Sequence, residues 1–253
     1  LSFPTRRSSD LTIQVISQTV ECDGAGNTAA LAAWLASNGG AVSSDVCSSV
    51  TWSNNYSGSL SDLCGMTGSA TVIFTATDAC GNSSTSSGTF TIQDNIKPLI
   101  ITNANNITVE CDGAGNVQEL AAWLASNGGT TASDNCSEVS WSNNYSGSFS
   151  DDCGLTGAVT VLFTATDACG NFSESTGIFT IQDTTDPSLI TQASSQTVEC
   201  DGQGNTQELA AWLASNGGAS ASDICSGVTW TNSYNEQSFS DDCGLTGSAT
   251  VIF

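Results

Sequence analysis

The side chains of this chain that could do chemistry are, first of all, its cysteines. Cys22, Cys47, Cys64 and Cys80 are followed at the same spacing by Cys111, Cys136, Cys153 and Cys169, so intervals of 25, 17 and 16 residues occur twice. A third set, Cys200, Cys225 and Cys243, carries one inserted residue near Glu236, and its fourth cysteine would fall near position ~259 if the period continued. The odd total of eleven therefore reads as an interrupted set and not as a free reactive thiol. Four cysteines per module at fixed spacing imply a disulfide framework and an oxidising compartment. Zinc, the rival reading, calls for a close C-x-x-C pair and often histidine, and the sequence has neither.

The carboxylates are the second candidates. The chain has 25 Asp and Glu against three Lys and Arg, a formal charge of −22, and no histidine. Ser-His-Asp, Cys-His and lysine-based schemes have no material to work with. Two carboxylates could still serve a glycosidase, but an active site copied in tandem at fixed spacing is not how enzymes are built, so no catalytic residue is assigned. So acidic a surface also excludes nucleic acid and anionic membranes as partners, because both are bound through Lys and Arg.

What clustered carboxylates without basic partners can do is hold a hard cation. Asp94 and Asn95 in one linker, Asp183 and Asp186 in the next, and the loop residues Asp134, Asp167 and Asp223 form a candidate calcium set, since calcium takes six to eight oxygen ligands. No EF-hand spacing occurs, and Lys97 stands where the second linker has Asp186. The competing reading is that Asp here only turns and solvates the chain.

The elements that must position these groups repeat every 89 residues, as the strings TVECDG at Thr19, Thr108 and Thr197 and LAAWLASNGG at Leu31, Leu120 and Leu209 show. Ile107 and Val109 alternate with polar residues as a half-buried strand does. Leu120, Trp123 and Leu124 then lie on one face of a short helix, with Asn116 as its cap and Gly128 as the left-handed residue that ends it. Val139 and Trp141 share a face of a further strand, and Val159, Val161 and Phe163 continue into a hairpin that turns at Gly170 and Asn171. Pro98 and Pro187 stiffen successive linkers. The pattern predicts an all-β fold of tandem immunoglobulin-like β-sandwich modules, each with two disulfides and a short helix inserted as an embellishment after the first strand. The modules run over 12–96, 97–185 and 186–253, the last incomplete. Residues 2–11, SFPTRRSSDL, resemble one frame of a translated sequencing adapter, so 1–11 is expected to be an artefactual leader.

In a sandwich the loop before the Trp strand lies at the same end as the final hairpin. That topology predicts Cys47–Cys80, Cys22–Cys64, Cys136–Cys169, Cys111–Cys153 and Cys200–Cys243, with Cys225 left alone. It also predicts that Trp52, Trp141 and Trp230 are core anchors and that Trp34, Trp123 and Trp212 pack their helix onto its own module.

The motifs VEC, SDNC, FTATDACGN (Phe74 to Asn82 and Phe163 to Asn171) and FTIQDTTDP resemble those of hyalin-repeat modules in large secreted proteins of marine Bacteroidetes, over residues 12–253. The resemblance implies an immunoglobulin-like fold and a non-catalytic role in cell-surface adhesion or extracellular architecture. It also implies export, by the type IX route, to the outside of the cell or its surface. Expected partners are neighbouring repeats and extracellular protein or glycan surfaces. A carbohydrate-binding array, with the Trp and Tyr of each copy exposed, and the accessory modules of a secreted hydrolase are the alternative readings. No stretch approaches the ~20 apolar residues of a membrane-spanning helix.

Overall fold

The computed structural model describes residues 10–46, 48–150, 153–236, 240 and 246–253. In the first repeat the elements are β1 (Asp10–Ile13), β2 (Gln18–Glu21), α1 (Thr28–Ala36), β3 (Val42–Ser44), β4 (Thr51–Asn54), β5 (Ser61–Asp62), β6 (Gly68–Thr77) and β7 (Ser83–Gln93). The second has β8 (Leu99–Thr102), β9 (Ile107–Glu110), α2 (Val117–Ala125), β10 (Thr131–Ser133), β11 (Ser140–Asn143), β12 (Gly157–Thr166) and β13 (Phe172–Gln182). In the third are β14 (Ser188–Thr191), α3 (Thr206–Ala214) and β15 (Ser220–Ser222). These divide into two compact units, one of Leu1–Asn105, Ser126–Asn144 and Leu162–Gly177, the other of Asn106–Ala125, Tyr145–Val161 and Ile178–Phe253.

The first unit holds the complete set of pairings of repeat 1. The sheet order is β2-β7-β6-β4, with β2 parallel to β7 (Val20 opposite Ile92) and β4 antiparallel to β6 (Trp52 opposite Ala76). A second sheet pairs β1 with β3. The chain thus changes sheets between β1 and β2. Two serines hold the crossing: Ser86 Oγ accepts the Val15 N–H (3.0 Å) and Ser17 Oγ accepts the Thr89 N–H (3.0 Å). A first strand split between two sheets and running parallel to the last strand is an immunoglobulin-like arrangement, and the fold is the tandem all-β one that the sequence predicts. The same unit repeats two of these pairings with β10 on β8 and β11 on β12.

Strand alternation builds the core. Val72, Phe74 and Ala76 of β6 are fully buried while Ile73 between them faces out, as a period of two requires. Trp34 of α1 closes over them, with its ring edge-on to Phe74 at 5.3 Å and tilted against Phe90 at 5.6 Å, and its Nε1–H donating to the Ile16 carbonyl (2.9 Å). Burying an indole with its donor satisfied contributes on the order of 3–5 kcal/mol relative to Ala. The helix is therefore a layer of the core and not an embellishment: the two-stranded sheet is too short to cover β6 and β7 by itself.

In the second unit β9 runs parallel to β13, Val109 opposite Ile181, and β14 pairs with β15. Trp123 tilts against Phe179 at 5.7 Å, and Trp212 is edge-on to Phe253 at 5.1 Å.

Three expectations change. Asn27 and Asn205 stand at the helix starts in the left-handed conformation and make no side-chain cap. The Asn27 and Asn116 amides instead donate backwards, to the Glu21 carbonyl (2.8 Å) and the Glu110 carbonyl (2.9 Å). Residues 1–9 lie outside the described residues, but Asp10 and Leu11 pair with Ser44 and Ser43 as Leu99 and Ile100 pair with Ser133 and Ala132, so strand β1 begins within the segment assigned to a leader. Trp52, Trp141 and Trp230 are half-buried, because α1 and its counterparts cover the sheet elsewhere, whereas Trp34 and Trp123 are buried as expected.

Candidate functional site

The cysteines join successive repeats. Cys22 is bonded to Cys136, Cys64 to Cys169, and Cys111 to Cys225. None of the expected within-repeat pairings Cys22–Cys64, Cys111–Cys153 or Cys136–Cys169 forms, and Cys225 is bonded. Cys80 and Cys153 are exposed free thiols. Cys47 and Cys243 lie outside the described residues, as therefore do the expected Cys47–Cys80 and Cys200–Cys243 bonds. The physical reason is the period itself. A separation of 114 residues is one repeat more than the 25-residue interval, and 105 is one repeat more than 16, so the spacing fits a partner in the next copy as well as one in the same copy.

Local structure aims these sulfurs. Cys22 follows β2 and extends its parallel ladder by one bond, from its N–H to the Gln93 carbonyl (2.8 Å). Opposite it, the Asp134 carboxylate accepts the Cys136 and Ser137 N–H groups (2.8 and 3.0 Å), which folds the loop so that Cys136 points inward. Asn135 Nδ2 donates to the Cys22 carbonyl at 3.1 Å. Gly24, at φ 74, lets the backbones meet: a Cβ there would lie 2.7 Å from the Asn135 carbonyl oxygen. The result is that Cys136 is 1% exposed and belongs to the core cluster of repeat 1 with Cys22, Trp34 and Phe90. Cys111 and Cys225 repeat this burial in the second unit, where Asp223 accepts the Cys225 and Ser226 N–H groups (2.8 and 2.9 Å).

An acidic cluster surrounds the first junction. Ligand atoms of Asp94, Asp134 and Cys136 lie within 4.8 Å of one another, although the Cys136 sulfur is committed to its disulfide and offers no thiolate. Asp94 is 7% exposed; its Oδ1 accepts the Ile96 N–H (3.1 Å), and its Oδ2 is buried with no hydrogen-bond partner. Burial pushes the Asp94 carboxyl above the ordinary carboxylate range, and the negative charges of Asp134, Asp167 and Glu21 push it the same way against the Ile96 N–H. Asp167 is tied to the hairpin turn by the Cys169 and Asn171 N–H groups (2.8 Å each), and Asn171 Nδ2 bridges it to the Asp94 carbonyl. At the second junction Asp186 and Asp223 line one cavity with Thr185, Ser188 and Ser222. The Asp223 carboxyl lies below its ordinary range, held there first by the Cys225 N–H and also by a hydrogen bond with Asp183.

Asn95 is the exception in the predicted set, since its Nδ2 faces Glu21 (3.3 Å) and not the cluster. That contact exposes a role the sequence reading missed. Glu21 accepts the Asn95 N–H, and Glu110 accepts the Thr184 N–H (2.7 Å) and both the Thr184 and Thr185 hydroxyls (3.0 and 3.1 Å), so each glutamate clamps the linker leaving its repeat. The signal for it was the Glu of VEC, present in all three copies.

No protein-family model matches the chain, and no curated protein matches it. Among solved structures it is similar to mouse cadherin-23 EC22-24 (9% identity, covering 73% of this chain and 69% of that one, TM-score 0.31). It is similar also to Drosophila N-cadherin EC1-4 (10%, 70% and 50%, 0.29) and to protocadherin gamma B2 extracellular cadherin domains 1-5 (12%, 51% and 28%, 0.25). The chain spans between 28% and 69% of the length of these three structures. At such TM-scores the likeness carries no argument about function. No helix among the described residues is long and apolar enough to cross a membrane.

Proposed function

We propose that the chain is a non-catalytic structural or adhesive stalk segment of an extracellular or cell-surface protein, built of tandem modules over 12–96, 97–185 and 186–253. The observation that carries this reading is the placement of Cys136 in the hydrophobic core of the preceding repeat, bonded to Cys22. A contact of that kind fixes one module on the next, which serves reach and stiffness and serves no bond-making step. Structural disulfides also form and persist chiefly in an oxidising environment such as the outside of the cell. Closing a loop of 114 residues contributes roughly 5 kcal/mol in the chain-entropy model.

The acidic junctions extend the proposal. A calcium ion held by Asp94 and Asp134, with Asp167 adding negative charge, would give the orphaned Asp94 Oδ2 a partner, and Asp183, Asp186 and Asp223 would serve the second junction. The ion would supply charge neutralisation and rigidity there.

Pulling the oxidised chain from its ends by force spectroscopy tests the stalk reading. The bridges shield the segments between them, so only about 75 residues should extend, ~260 Å at ~3.5 Å per residue. After reduction the extension should approach ~890 Å by the same rule. An oxidised chain that lengthens as far as the reduced one would overturn the proposal.

A further inference from the structure

We propose that Cys80 and Cys153 are two halves of one recurring bridge, each reserved for another copy of this module. Cys153 takes the fourth-position cysteine of a module that follows it, and Cys80 takes the third-position cysteine of a module that precedes it. The proposal rests on the connectivity of the junctions and stands whether or not the array is adhesive.

The bond already exists once, between Cys64, third in its repeat, and Cys169, fourth in the next. Cys153 occupies the position of Cys64 one repeat on and has its surroundings. Thr67 donates its hydroxyl to the Cys64 carbonyl (2.6 Å) and accepts the Cys64 N–H (3.1 Å); Thr156 does the same for Cys153 at 2.8 and 3.3 Å. The sulfurs lie 3.3 and 3.4 Å from those hydroxyls, so the free thiol is held as the bonded one is.

The docking of the loop repeats as well. Met66 N–H donates to the Cys136 carbonyl (2.9 Å), and Leu155 N–H donates to the Cys225 carbonyl (3.0 Å). Gly65 and Gly154, at φ 55 and 59, bring the backbone so close that an added Cβ would meet those same carbonyl oxygens. The Cys153 loop is thus seated on the third repeat as the Cys64 loop is on the second, and one sulfur completes the arrangement.

Cys80 matches Cys169 from the other side. Asp78 accepts the Cys80 and Asn82 N–H groups at 2.8 Å, the distances at which Asp167 accepts those of Cys169 and Asn171. The hairpin that presents the bonded sulfur therefore also presents the free one. The polarity runs one way, third to following fourth, so it orders modules head to tail and excludes a symmetric pair.

Each bridge forms by thiol–disulfide exchange with a small-molecule disulfide. Two protein thiols are oxidised, the reagent's S–S bond is reduced, and its two halves leave as thiols carrying the two protons.

The test carries the third repeat on from Phe253 with the sequence of residues 164–185, which supplies an equivalent of Cys169. Refolding in reduced and oxidised glutathione, alkylation and peptide mapping then read every thiol. The expected result is Cys153 joined to the new cysteine, with its alkylation falling at least tenfold against the 253-residue chain, while Cys80 stays fully alkylated. Cys153 still alkylated in molecules that retain Cys111–Cys225 overturns the proposal, because that bond reports a formed junction. A second variant, Cys64→Ser in the 253-residue chain, should leave Cys169 alkylatable. Formation of Cys153–Cys169 there would mean that these thiols pair within a repeat, and would overturn it too.

Discussion

Cys22 at the end of β2 reaches past its own repeat to Cys136, 114 residues on, and both sulfurs lie in the core of the first repeat. A residue of repeat 2 is therefore a core residue of repeat 1. Replacing Cys136 with Ser should free the Cys22 thiol and place a hydroxyl in an apolar site, lowering the melting temperature by more than the same change at the half-buried Cys169. Differential scanning calorimetry of the two variants checks the order; equal losses would place the two bridges on the same footing.

The two kinds of tryptophan should separate cleanly. Trp34→Ala removes a ring that is 4% exposed, edge-on to Phe74 and tilted against Phe90, and should cost about 3–5 kcal/mol. Trp52→Ala, at a half-buried position, should cost roughly half of that by area. Urea unfolding followed by circular dichroism measures both, and a Trp52 cost equal to that of Trp34 would restore it as a core anchor.

Gly128 is fixed twice over, by a φ of 64 and by Phe163, whose ring would lie 2.8 Å from an added Cβ. Gly128→Ala should destabilise by at least ~1–2 kcal/mol from the left-handed backbone alone. Gly26, also left-handed but with open space around it, should show only that backbone cost when changed to Ala. Comparing the two by thermal unfolding isolates the contact with Phe163.

Asp94 and three other aspartates respond to pH with opposite signs. The carboxyls of Asp23, Asp78 and Asp112 lie below their ordinary range, each held by hydrogen bonds from the Asn four residues on: mainly the side chain of Asn82 for Asp78, and mainly the backbone N–H of Asn27 and Asn116 for Asp23 and Asp112. They stabilise the fold above their unfolded pKa of about 4, and that contribution is lost as pH falls through their lower folded values. The Asp94 carboxyl is raised by burial, so its charge opposes folding at neutral pH and ceases to do so in acid. In chelator, Asp94→Asn should raise the melting temperature at pH 7, with a gain that shrinks as pH approaches 4. In calcium the same variant should lose the stabilisation that the ion gives the parent. A variant that melts lower than the parent at pH 7 in chelator would contradict this.

How far the sequence carried the reading depended on whether a feature is local. The alternation in FTATDACGN gave β6 and β12 and their buried Phe74 and Phe163, because a period of two needs no knowledge of the rest of the chain. The helix was legible from Leu120 and Trp123 for the same reason, but its role as a core layer was not, since that depends on how short β1 and β3 are. The disulfide partners were illegible in principle: a perfect period makes Cys22–Cys136 and a partner within the repeat equally consistent with spacing. The acidic set was found by composition, while the burial of Asp94 and the turning away of Asn95 toward Glu21 follow from tertiary placement that no residue count contains.

The central claim, that covalent bonds join successive repeats, is open to one direct chemical measurement. Asp186–Pro187 is the chain's one Asp-Pro bond, a linkage labile in mild acid, and it lies between Cys111 and Cys225. Cleavage there should leave fragments 1–186 and 187–253 migrating together without reductant and apart with it, and Cys225→Ser should let them part in both conditions. Fragments of the parent chain that separate without reductant would contradict the account.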